Sequence, residues 1–164
     1  MNLLACNNPV NNSAVTSKEE SDSGIYYAYS PIYSNGYKFG SYKNVKLVTD
    51  VWKQFENGDI TKTADSFADD ITFVYPDQVI GGKRDTVLAQ VKKLRDSYSV
   101  LQSYIYSWMP ARAKDHDEDW VFIWGKEQLT DKEGKLKSIE IHEIWQFNKE
   151  GKIIFMQQYH TRHS

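Results

Sequence analysis

The 164-residue sequence has a single cysteine, Cys6, four prolines and a formal net charge of only -2. One thiol excludes an intrachain disulfide and a cysteine-rich metal site. The near-neutral charge lacks the basic excess that is typical of nucleic-acid-binding domains. No apolar run approaches the roughly 20 residues that a membrane-spanning helix needs. What is left is a chain long enough for one domain with a substantial core.

Aromatic residues, by contrast, are abundant. They make up 14% of the chain, with 5 Trp, 11 Tyr and 7 Phe. At this density they form either a strongly aromatic core or the walls of a cavity or interface. No phosphate-binding glycine loop or nucleophile elbow accompanies them, and neither Glu140 with His142 nor the acidic loop 115–119 has the spacing of a metal-ligand motif. The sequence therefore predicts no metal, no cofactor and no nucleic-acid partner.

The first 23 residues have the composition of a tether. Residues 3–6, Leu-Leu-Ala-Cys, resemble the lipobox of bacterial lipoproteins, in which Cys6 becomes the lipid-anchored first residue. A secretion signal needs a basic stretch and about 7–15 apolar residues before that site, and this sequence has neither. Residues 7–23 are rich in Asn, Ser, Glu and Asp, as expected of a disordered tether. The alternatives are a periplasmic or outer-membrane-anchored lipoprotein, with membrane contact only through the lipid, and a cytoplasmic protein with a frayed terminus.

Residues 24–43 are rich in tyrosine and are interrupted by Pro31, Gly36 and Gly40. This stretch is too aromatic for a free linker and too broken by proline and glycine for a long helix. We predict an ordered arm that packs on the domain or on a partner chain. The domain itself is expected to span residues 44–164.

Three helices are predicted at the start of the domain. The first ends at Asn57-Gly58, because glycine fits the left-handed closing conformation. Asp59 is expected to cap a short second helix that carries Phe67 on its buried side. A first strand follows over residues 71–75, and Asp85 lies at the start of the third helix, where negative charge is favoured. The first and third helices have apolar residues at helical spacing: Val48, Val51, Trp52, Phe55, Val87, Leu88, Val91 and Leu94.

Four strand-like segments follow the helices. Residues 103–108 alternate aromatic and smaller residues, and this strand is expected to end at Pro110. Segments 120–129, 138–147 and 153–162 come next, joined by turns that place Gly134 and Gly151 where a positive φ is needed. Short turns between successive strands predict an antiparallel meander. The fold class is therefore α+β, with three N-terminal helices packed on a mainly antiparallel sheet.

The segment 138–147 carries one carboxylate in an otherwise apolar row. Alternate residues share a face of a strand, so Glu143 shares its face with Ile139, Ile141, Trp145 and Phe147. Burial on that face would raise the pKa of Glu143, and a protonated acid could donate a hydrogen bond or a proton to a ligand. The alternative is a glutamate that a buried Arg, Tyr or Trp holds for structure alone, or one at a dimer contact.

Residues 67–76 combine a helix end, an acidic turn at Asp69-Asp70 and a short apolar strand stopped by Pro76. Another helix follows, and after it only strands. This order resembles the SnoaL-like branch of the nuclear-transport-factor-two-like (NTF2-like) superfamily, over residues 44–162. The resemblance implies a cone-shaped α+β fold whose strongly bent sheet encloses a pocket. Members with acid–base chemistry often place a carboxylate just before that proline, where this chain has Tyr75.

Residues 143–148 are similar to the segment of ketosteroid isomerases that supplies an oxyanion-binding acid, and Glu143 falls on that acid's position. The same comparison puts Tyr75 at the position of the proton-abstracting carboxylate and Val51 at the position of a tyrosine donor. Because only one of the three positions keeps its residue type, steroid isomerase activity is not expected.

The resemblance also implies which residues line the pocket. His160, on the last strand, titrates near physiological pH and is a candidate base or ligand contact, or else a structural residue. Phe122 and Trp124 are equal candidates for pocket wall and core. The predicted site has Glu143 and His160 as acid–base residues and Val51, Phe55, Phe73, Tyr75, Phe122, Trp124, Ile141, Trp145, Met156 and Gln158 as the lining.

Three functions fit these residues. The first is a module that binds a small apolar or aromatic organic ligand. The second is a cofactor-independent cyclase, dehydratase or isomerase, in which Glu143 and His160 move protons and Tyr75 steadies an oxyanion or enolate. The third is an interaction domain with a vestigial pocket. Superfamily relatives commonly dimerise through the outer face of the sheet, and we predict a homodimer of this kind here.

Overall fold

The computed structural model of the chain describes residues 28–34 and 36–161. Every helix and strand in this part lies in the unit of residues 31–164. The helices are α1 (Tyr42–Glu56) and α2 (Arg84–Arg95), with a 3-10 helix (Ile60–Ser66) between them. The strands are β1 (Tyr37–Phe39), β2 (Phe67–Val74), β3 (Val79–Lys83), β4 (Tyr98–Ala113), β5 (Asp119–Asp131), β6 (Leu136–Phe147) and β7 (Ile153–His160). The predicted tether and the lipobox residue Cys6 lie outside the described residues.

The strands form one sheet in the order β1-β4-β5-β6-β7-β2-β3. Every neighbouring pair is antiparallel except β2 and β7, which run parallel. Helix α1 packs on β4 and β5, and α2 packs on β2, β3 and the 3-10 helix. Three helices on a mainly antiparallel sheet confirm the predicted α+β class. Across the described part of the chain, no helix is both long enough and apolar enough to cross a membrane.

Helix α1 forms because its apolar residues fall on one face. Val45, Val48 and Val51 are almost completely buried in the core, and each such side chain stabilises the fold by roughly 1.5–3 kcal/mol. At the N-terminus the hydroxyl of Ser41 accepts a hydrogen bond from the backbone N–H of Lys43 (3.2 Å). The helix ends at Glu56, directly before Asn57-Gly58, as the sequence predicts.

The chain after α1 departs from the prediction. Asp59 occupies the cap position, but its carboxylate pairs with Lys62 (2.6 Å) instead of capping the helix. Phe67 is buried, yet it begins β2 rather than ending a helix, because the helical segment stops at Ser66 and Phe67 is extended. Strand β3 is not predicted, since a five-residue segment with two glycines carries little strand signal.

Strand β4 continues to Ala113, past Pro110, where the sequence predicts a strand end. The carbonyl of Pro110 accepts a hydrogen bond from the N–H of Gly40 (3.0 Å), so the backbone of this proline faces the side of the edge strand β1. The nitrogen and the carbonyl of a strand residue point the same way, and β1 ends at Phe39. The missing N–H of Pro110 therefore faces the end of a short edge strand, where proline is tolerated.

A β-bulge interrupts the predicted alternation in β4. The register with β5 shifts between Ile105 and Ser107. Tyr104 consequently stands opposite Lys126, whereas Trp108 stands opposite Ile123, on the face that carries the core. Bulges bend strands and increase their twist, and the pairs β2–β7 and β6–β7 contain further register shifts. The bent sheet that the sequence resemblance implies is built from these irregularities.

The two turns of the meander have the same conformation and hydrogen-bonding pattern. Gly134 and Gly151 have φ angles of 86° and 73°, which confirms the predicted turns. Asp131 Oδ1 accepts hydrogen bonds from two backbone N–H groups of the first turn, both at 2.9 Å. Asn148 Oδ1 does the same in the second turn, at 3.1 and 2.9 Å. These turns fix the register of β5, β6 and β7, and with it the faces on which the site residues lie.

Candidate functional site

A cavity of about 160 Å³ is lined by residues of both α-helices, the 3-10 helix and strands β2, β4, β5, β6 and β7. Its deep wall is buried and mainly apolar and aromatic, but it also contains the carboxylates of Glu127 and Glu143. Its edge is exposed at Asp77, Gln78 and Lys137. The cavity thus combines an apolar body with a few polar groups, as small-molecule sites do.

Glu143 lines the cavity from β6 and is 5% exposed. Three neutral N–H groups donate to its carboxylate. Trp52 Nε1 (2.6 Å) and Trp145 Nε1 (2.9 Å) donate to Oε2, and Gln158 Nε2 donates to Oε1 (2.9 Å). Gln158 is directly opposite Glu143 in the β6–β7 ladder, whereas Trp52 reaches it from α1. These bonds join the helix layer to the sheet through one side chain.

The electrostatics of Glu143 are set by burial and by N–H dipoles. Burial raises the pKa of Glu143, and the hydrogen bonds from Gln158, Trp52 and Trp145 oppose that rise because they favour the carboxylate. A ligand that donates a hydrogen bond to this group would favour the charged form further. An apolar ligand, by excluding water, would favour the acid.

Glu127, on β5, is a second buried carboxyl group that sequence reasoning missed. Burial, together with the carboxylates of Glu143 and Glu56, raises the pKa of Glu127 to about 8, and Arg95 only partly offsets the rise. Within the described part of the chain, no hydrogen bond or ion pair reaches its carboxyl group. At neutral pH Glu127 is therefore mainly protonated and able to donate a hydrogen bond into the cavity.

Tyr75 directly follows β2 and adds a phenol to the cavity. Burial and the nearby carboxyl groups of Glu143 and Glu127 raise the pKa of Tyr75, so the phenol stays neutral. Its ring meets Phe73 edge to face, with 6.4 Å between centroids, and Phe73 meets Trp145 in the same manner at 5.8 Å. The three rings form one aromatic wall, and the Tyr75 hydroxyl is a hydrogen-bond donor at its end.

The structure brings most of the predicted site residues together around this cavity. Ile141, on β6, is a predicted lining residue that does not line the cavity, because its side chain is buried in the core. The predicted residues that do line the cavity are Val51, Phe55, Phe73, Tyr75, Glu143, Trp145, Met156, Gln158 and His160. The assignment of roles to these residues stays a prediction.

His160 and Glu143 line the same cavity but are not direct neighbours. In the β6–β7 ladder His160 is opposite Ile141, and the residue opposite Glu143 is Gln158. Gln158 Nε2 donates to Glu143 Oε1 from that opposite position. The two predicted acid–base residues lie two positions apart along the strands.

Phe122 and Trp124 lie on the opposite face of the sheet from the cavity. On β5 the odd-numbered residues face the core, so the aromatic even-numbered residues face outward. Trp124 stacks on His142 with 4.8 Å between ring centroids. Phe122 lines a separate hollow of about 530 Å³ together with Tyr33 and Tyr37. The aromatic character of these residues suggested a pocket wall, but the register of β5 places them outside it.

Gly125 makes room for Trp52 on the inner face of β5. A Cβ atom at this position would lie 3.0 Å from the indole of Trp52 and 2.5 Å from the backbone oxygen of Tyr104. The indole therefore packs directly on the β5 backbone, and its N–H reaches Glu143. The sequence holds one signal for the missed acid: Glu127 shares the odd-numbered face with Ile123 and Leu129, as Glu143 shares its face with apolar residues.

The polar groups of the cavity are suited to hydrogen bonding and proton transfer. Among the described residues no group of three His, Cys, Asp or Glu side chains could hold a metal ion. The cavity offers a neutral phenol, a protonated acid and a hydrogen-bonded glutamate within aromatic walls. Such groups can orient a polar ligand, or donate and accept a proton.

No model of a protein family matches the sequence, and no curated protein matches it. Solved structures do match. An NTF2-like protein of unknown function from Exiguobacterium sp. 255-15 has a TM-score of 0.57 at 16% identity, over 71% of this chain and 99% of that chain. AusH from Aspergillus nidulans has a TM-score of 0.59 at 14% identity, over 77% of this chain and 89% of that chain.

A third match is SalBIII, an epoxide hydrolase/cyclase-like enzyme with a role in pyran ring formation in polyether salinomycin. It has a TM-score of 0.57 at 15% identity, over 73% of this chain and 91% of that chain. At identities this low, each likeness concerns the fold alone.

Proposed function

Because the chain has the NTF2-like fold with a walled cavity inside it, we propose that it is a binding module for a small organic molecule with an apolar or aromatic body. One observation carries the proposal: the space between the helices and the sheet is open rather than filled by side chains. Protein interiors are close-packed, with few voids larger than a water molecule. A cavity with aromatic walls and converging polar groups is therefore best explained by a ligand.

The size of the cavity limits the ligand. A cavity of about 150 Å³ in another protein's core holds one benzene molecule, and this cavity measures about 160 Å³. We infer a ligand of about one ring, enclosed by the aromatic wall, with a polar substituent near Glu143, Glu127 or Tyr75. Larger molecules would have to extend through the exposed edge at Asp77 and Lys137.

A cavity-filling variant tests this function. Ile139 lines the cavity from β6, whereas Leu136 on the same strand is 64% exposed and does not line it. Binding of benzyl alcohol, measured by titration calorimetry or by NMR, is expected to weaken about tenfold or more in Ile139→Trp and to stay unchanged in Leu136→Trp. Equal binding to both variants would place the ligand elsewhere and refute the proposal.

A second function, a cofactor-independent acid–base enzyme, draws support from one further observation. The two buried acids have different environments, because three N–H groups donate to Glu143 whereas no described residue donates to Glu127. Sites that need both an acid and a base commonly hold two carboxyl groups in unlike surroundings. In this hypothesis Glu143 and His160 move protons and Tyr75 steadies an oxyanion, and SalBIII is a cyclase-like enzyme on the same fold.

The titration of Glu143 bears on this second function. We expect the side-chain carboxyl carbon of Glu143, followed by NMR, to titrate above the pH range of a free glutamate, because burial raises the pKa of Glu143. Titration in the range of a free glutamate would remove the argument for an acid catalyst. The binding function would survive that result, because it needs only the cavity.

We further propose that the protein forms a homodimer through the outer face of the sheet. Trp124, His142 and Tyr159 stand opposite one another across β5, β6 and β7, and their rings stack in a row. Trp124 and Tyr159, on either side of His142, are 36% and 49% exposed, and a contiguous exposed aromatic patch often marks an interaction surface. A second copy of the same face would cover them.

A further inference from the structure

Glu127 is a buried acid that lines the cavity without a partner. It is 7% exposed, and its carboxyl group has no hydrogen bond or ion pair among the described residues. Buried carboxyl groups are normally paired, because leaving one unsatisfied is costly. The second buried acid, Glu143, is already held by three N–H donors. Glu127 is therefore a polar group of the cavity that no described residue satisfies.

The two acids do not serve as partners for each other. Glu127 is opposite Ile139, and Glu143 is opposite Ile123, four positions further along the same pair of strands. At about 3.3 Å per residue, the offset along the strands is roughly 13 Å between Cα atoms. Both residues line the cavity, and the hydrogen bonds that Glu143 accepts come from Trp52, Trp145 and Gln158, not from Glu127.

The charged groups around Glu127 are mainly negative, and the nearby cation is engaged in other hydrogen bonds. Glu143 and Glu56 raise the pKa of Glu127 further, and among the described residues Arg95 is the cation that opposes them. The guanidinium of Arg95, however, donates to the backbone carbonyls of residues 55, 56 and 98 at 2.8–3.1 Å. Tyr75 and Tyr98 also face Glu127, and Asp77, Lys137 and His160 are the other charged or titratable residues of the cavity. Among the described residues, none supplies a free positive charge to the deep part of the site.

Building on the proposed binding function, we propose that the ligand is a small organic cation, an amine carried on an apolar ring, whose ammonium group pairs with Glu127. The ammonium would take the place of the proton that neutralises Glu127 in the empty cavity. The faces of aromatic side chains such as Tyr75 and Tyr98 are suited to the same cation. The apolar ring would occupy the buried volume beside Phe73 and Trp145.

The pairing has a proton balance that can be measured. Burial and the neighbouring carboxylates raise the pKa of Glu127 to about 8, so this group holds a proton at pH 7. An ammonium ion that enters at pH 7 pairs with the carboxylate form, and the proton of Glu127 leaves to the buffer. A neutral ligand leaves that proton in place.

The test compares three ring compounds of similar size on the full chain by titration calorimetry at pH 7: benzylamine, benzyl alcohol and benzoate. We expect benzylamine to bind about tenfold or more tightly than benzyl alcohol, as charge-assisted hydrogen bonds imply, and benzoate to bind worst. Repeating the benzylamine titration in two buffers of different ionisation enthalpy should show release of close to one proton. Glu127→Gln should abolish the preference for the amine, and the matched control Glu150→Gln, at an exposed turn position, should keep it.

Each outcome has a separate meaning. Equal binding of benzylamine and benzyl alcohol to the unaltered protein, or a preference for the amine that survives Glu127→Gln, overturns the cation proposal. Binding of the alcohol in either case leaves the binding module intact. Failure of all three compounds to bind the cavity overturns the binding function together with the inference built on it.

Discussion

At the scale of single residues, the hydrogen bonds of Glu143 depend on a glycine on the neighbouring strand. Gly125 leaves the space in which the Trp52 indole packs against β5, and Trp52 Nε1 then donates to Glu143. Gly125→Ala is expected to destabilise the protein by about 1–3 kcal/mol, since the new methyl group would displace both the indole and the β4 backbone. Chemical denaturation measures this loss, and the Trp52 indole N–H resonance should move with it.

Gly36 provides the matched control for Gly125. A Cβ atom there would meet only the flexible side chain of Lys114, at 3.6 Å or more, which is an ordinary contact. Gly36→Ala should therefore leave the free energy of unfolding nearly unchanged. Equal losses in the two variants would show that the packing of Trp52 on β5 is not what Gly125 provides.

The second prediction at this scale concerns Glu127 and pH. Its pKa is raised in the folded state, to about 8 from 4.5, so the folded state binds a proton that the unfolded state has released. The contribution of Glu127 to the free energy of unfolding is fully present below about pH 4.5. It is lost as the pH rises to about 8, at up to about 1.4 kcal/mol per pH unit. Glu127→Gln should flatten the fall in unfolding free energy between pH 5 and 8. An unchanged slope would show that Glu127 titrates normally.

The residues of the site were predictable to different degrees. Glu143 could be predicted, because a single carboxylate in an alternating apolar row has only one face on which to lie. Glu127 also lies between apolar residues on one face of its strand. The aromatic residues Phe122 and Trp124 on the opposite face of β5, however, favoured that face as the inner one. The bond from Trp52 to Glu143 depends on the approach of α1 to β5, which no local pattern encodes.

At the scale of secondary-structure elements, two helix starts offer a direct comparison. Ser41 caps α1 through a hydrogen bond, whereas the carboxylate of Asp59 leaves its helix uncapped and pairs with the exposed Lys62. Ser41→Ala is expected to lower the unfolding free energy by about 1 kcal/mol, the usual value of an N-cap. Asp59→Ala should have a distinctly smaller effect, because exposed ion pairs contribute little. Urea denaturation of both variants measures their free energies of unfolding. A larger loss for Asp59→Ala than for Ser41→Ala would contradict this expectation.

The helices and strands were predictable wherever burial of one face gives the apolar residues a regular spacing along the sequence. Helix α1, the turns at Gly134 and Gly151 and the long strands β5 and β6 follow from apolar spacing and turn chemistry. Strand β3 and the passage of β4 through Pro110 were not predictable. Both depend on a neighbouring strand: β3 pairs with β2, and Pro110 is accommodated because β1 ends beside it.

At the scale of the whole molecule, the aromatic row on the outer face of the sheet predicts an assembly. The full chain should sediment as a dimer in analytical ultracentrifugation, because Trp124 and Tyr159 leave a large apolar surface exposed. Trp124→Glu should yield a monomer, since a charge would be buried at the contact. Tyr42→Glu, at a residue that is 64% exposed on α1, is the matched control and should remain dimeric. A monomeric unaltered protein would contradict the prediction.

The order of elements along the chain made the fold predictable at this scale, since helices followed by a meander with short turns leave few alternatives. The identity of the ligand was not predictable in the same manner. It depends on which side chains from eight elements converge on one cavity, and a single missed residue, Glu127, changes the inferred charge of the ligand. The division into a tether, an arm over residues 24–43 and a domain stays a prediction.

The most direct test of the binding function uses the tryptophans as reporters. Four of the five tryptophans serve here: Trp52 and Trp145 line the cavity, whereas Trp108 and Trp124 are 46% and 36% exposed outside it. In a ¹⁵N–¹H NMR titration with benzylamine and with benzyl alcohol, the indole N–H resonances of Trp52 and Trp145 should shift saturably, and those of Trp108 and Trp124 should not. Shifts confined to Trp108 and Trp124, or no shifts at saturating concentrations of both compounds, would contradict a ligand-binding cavity.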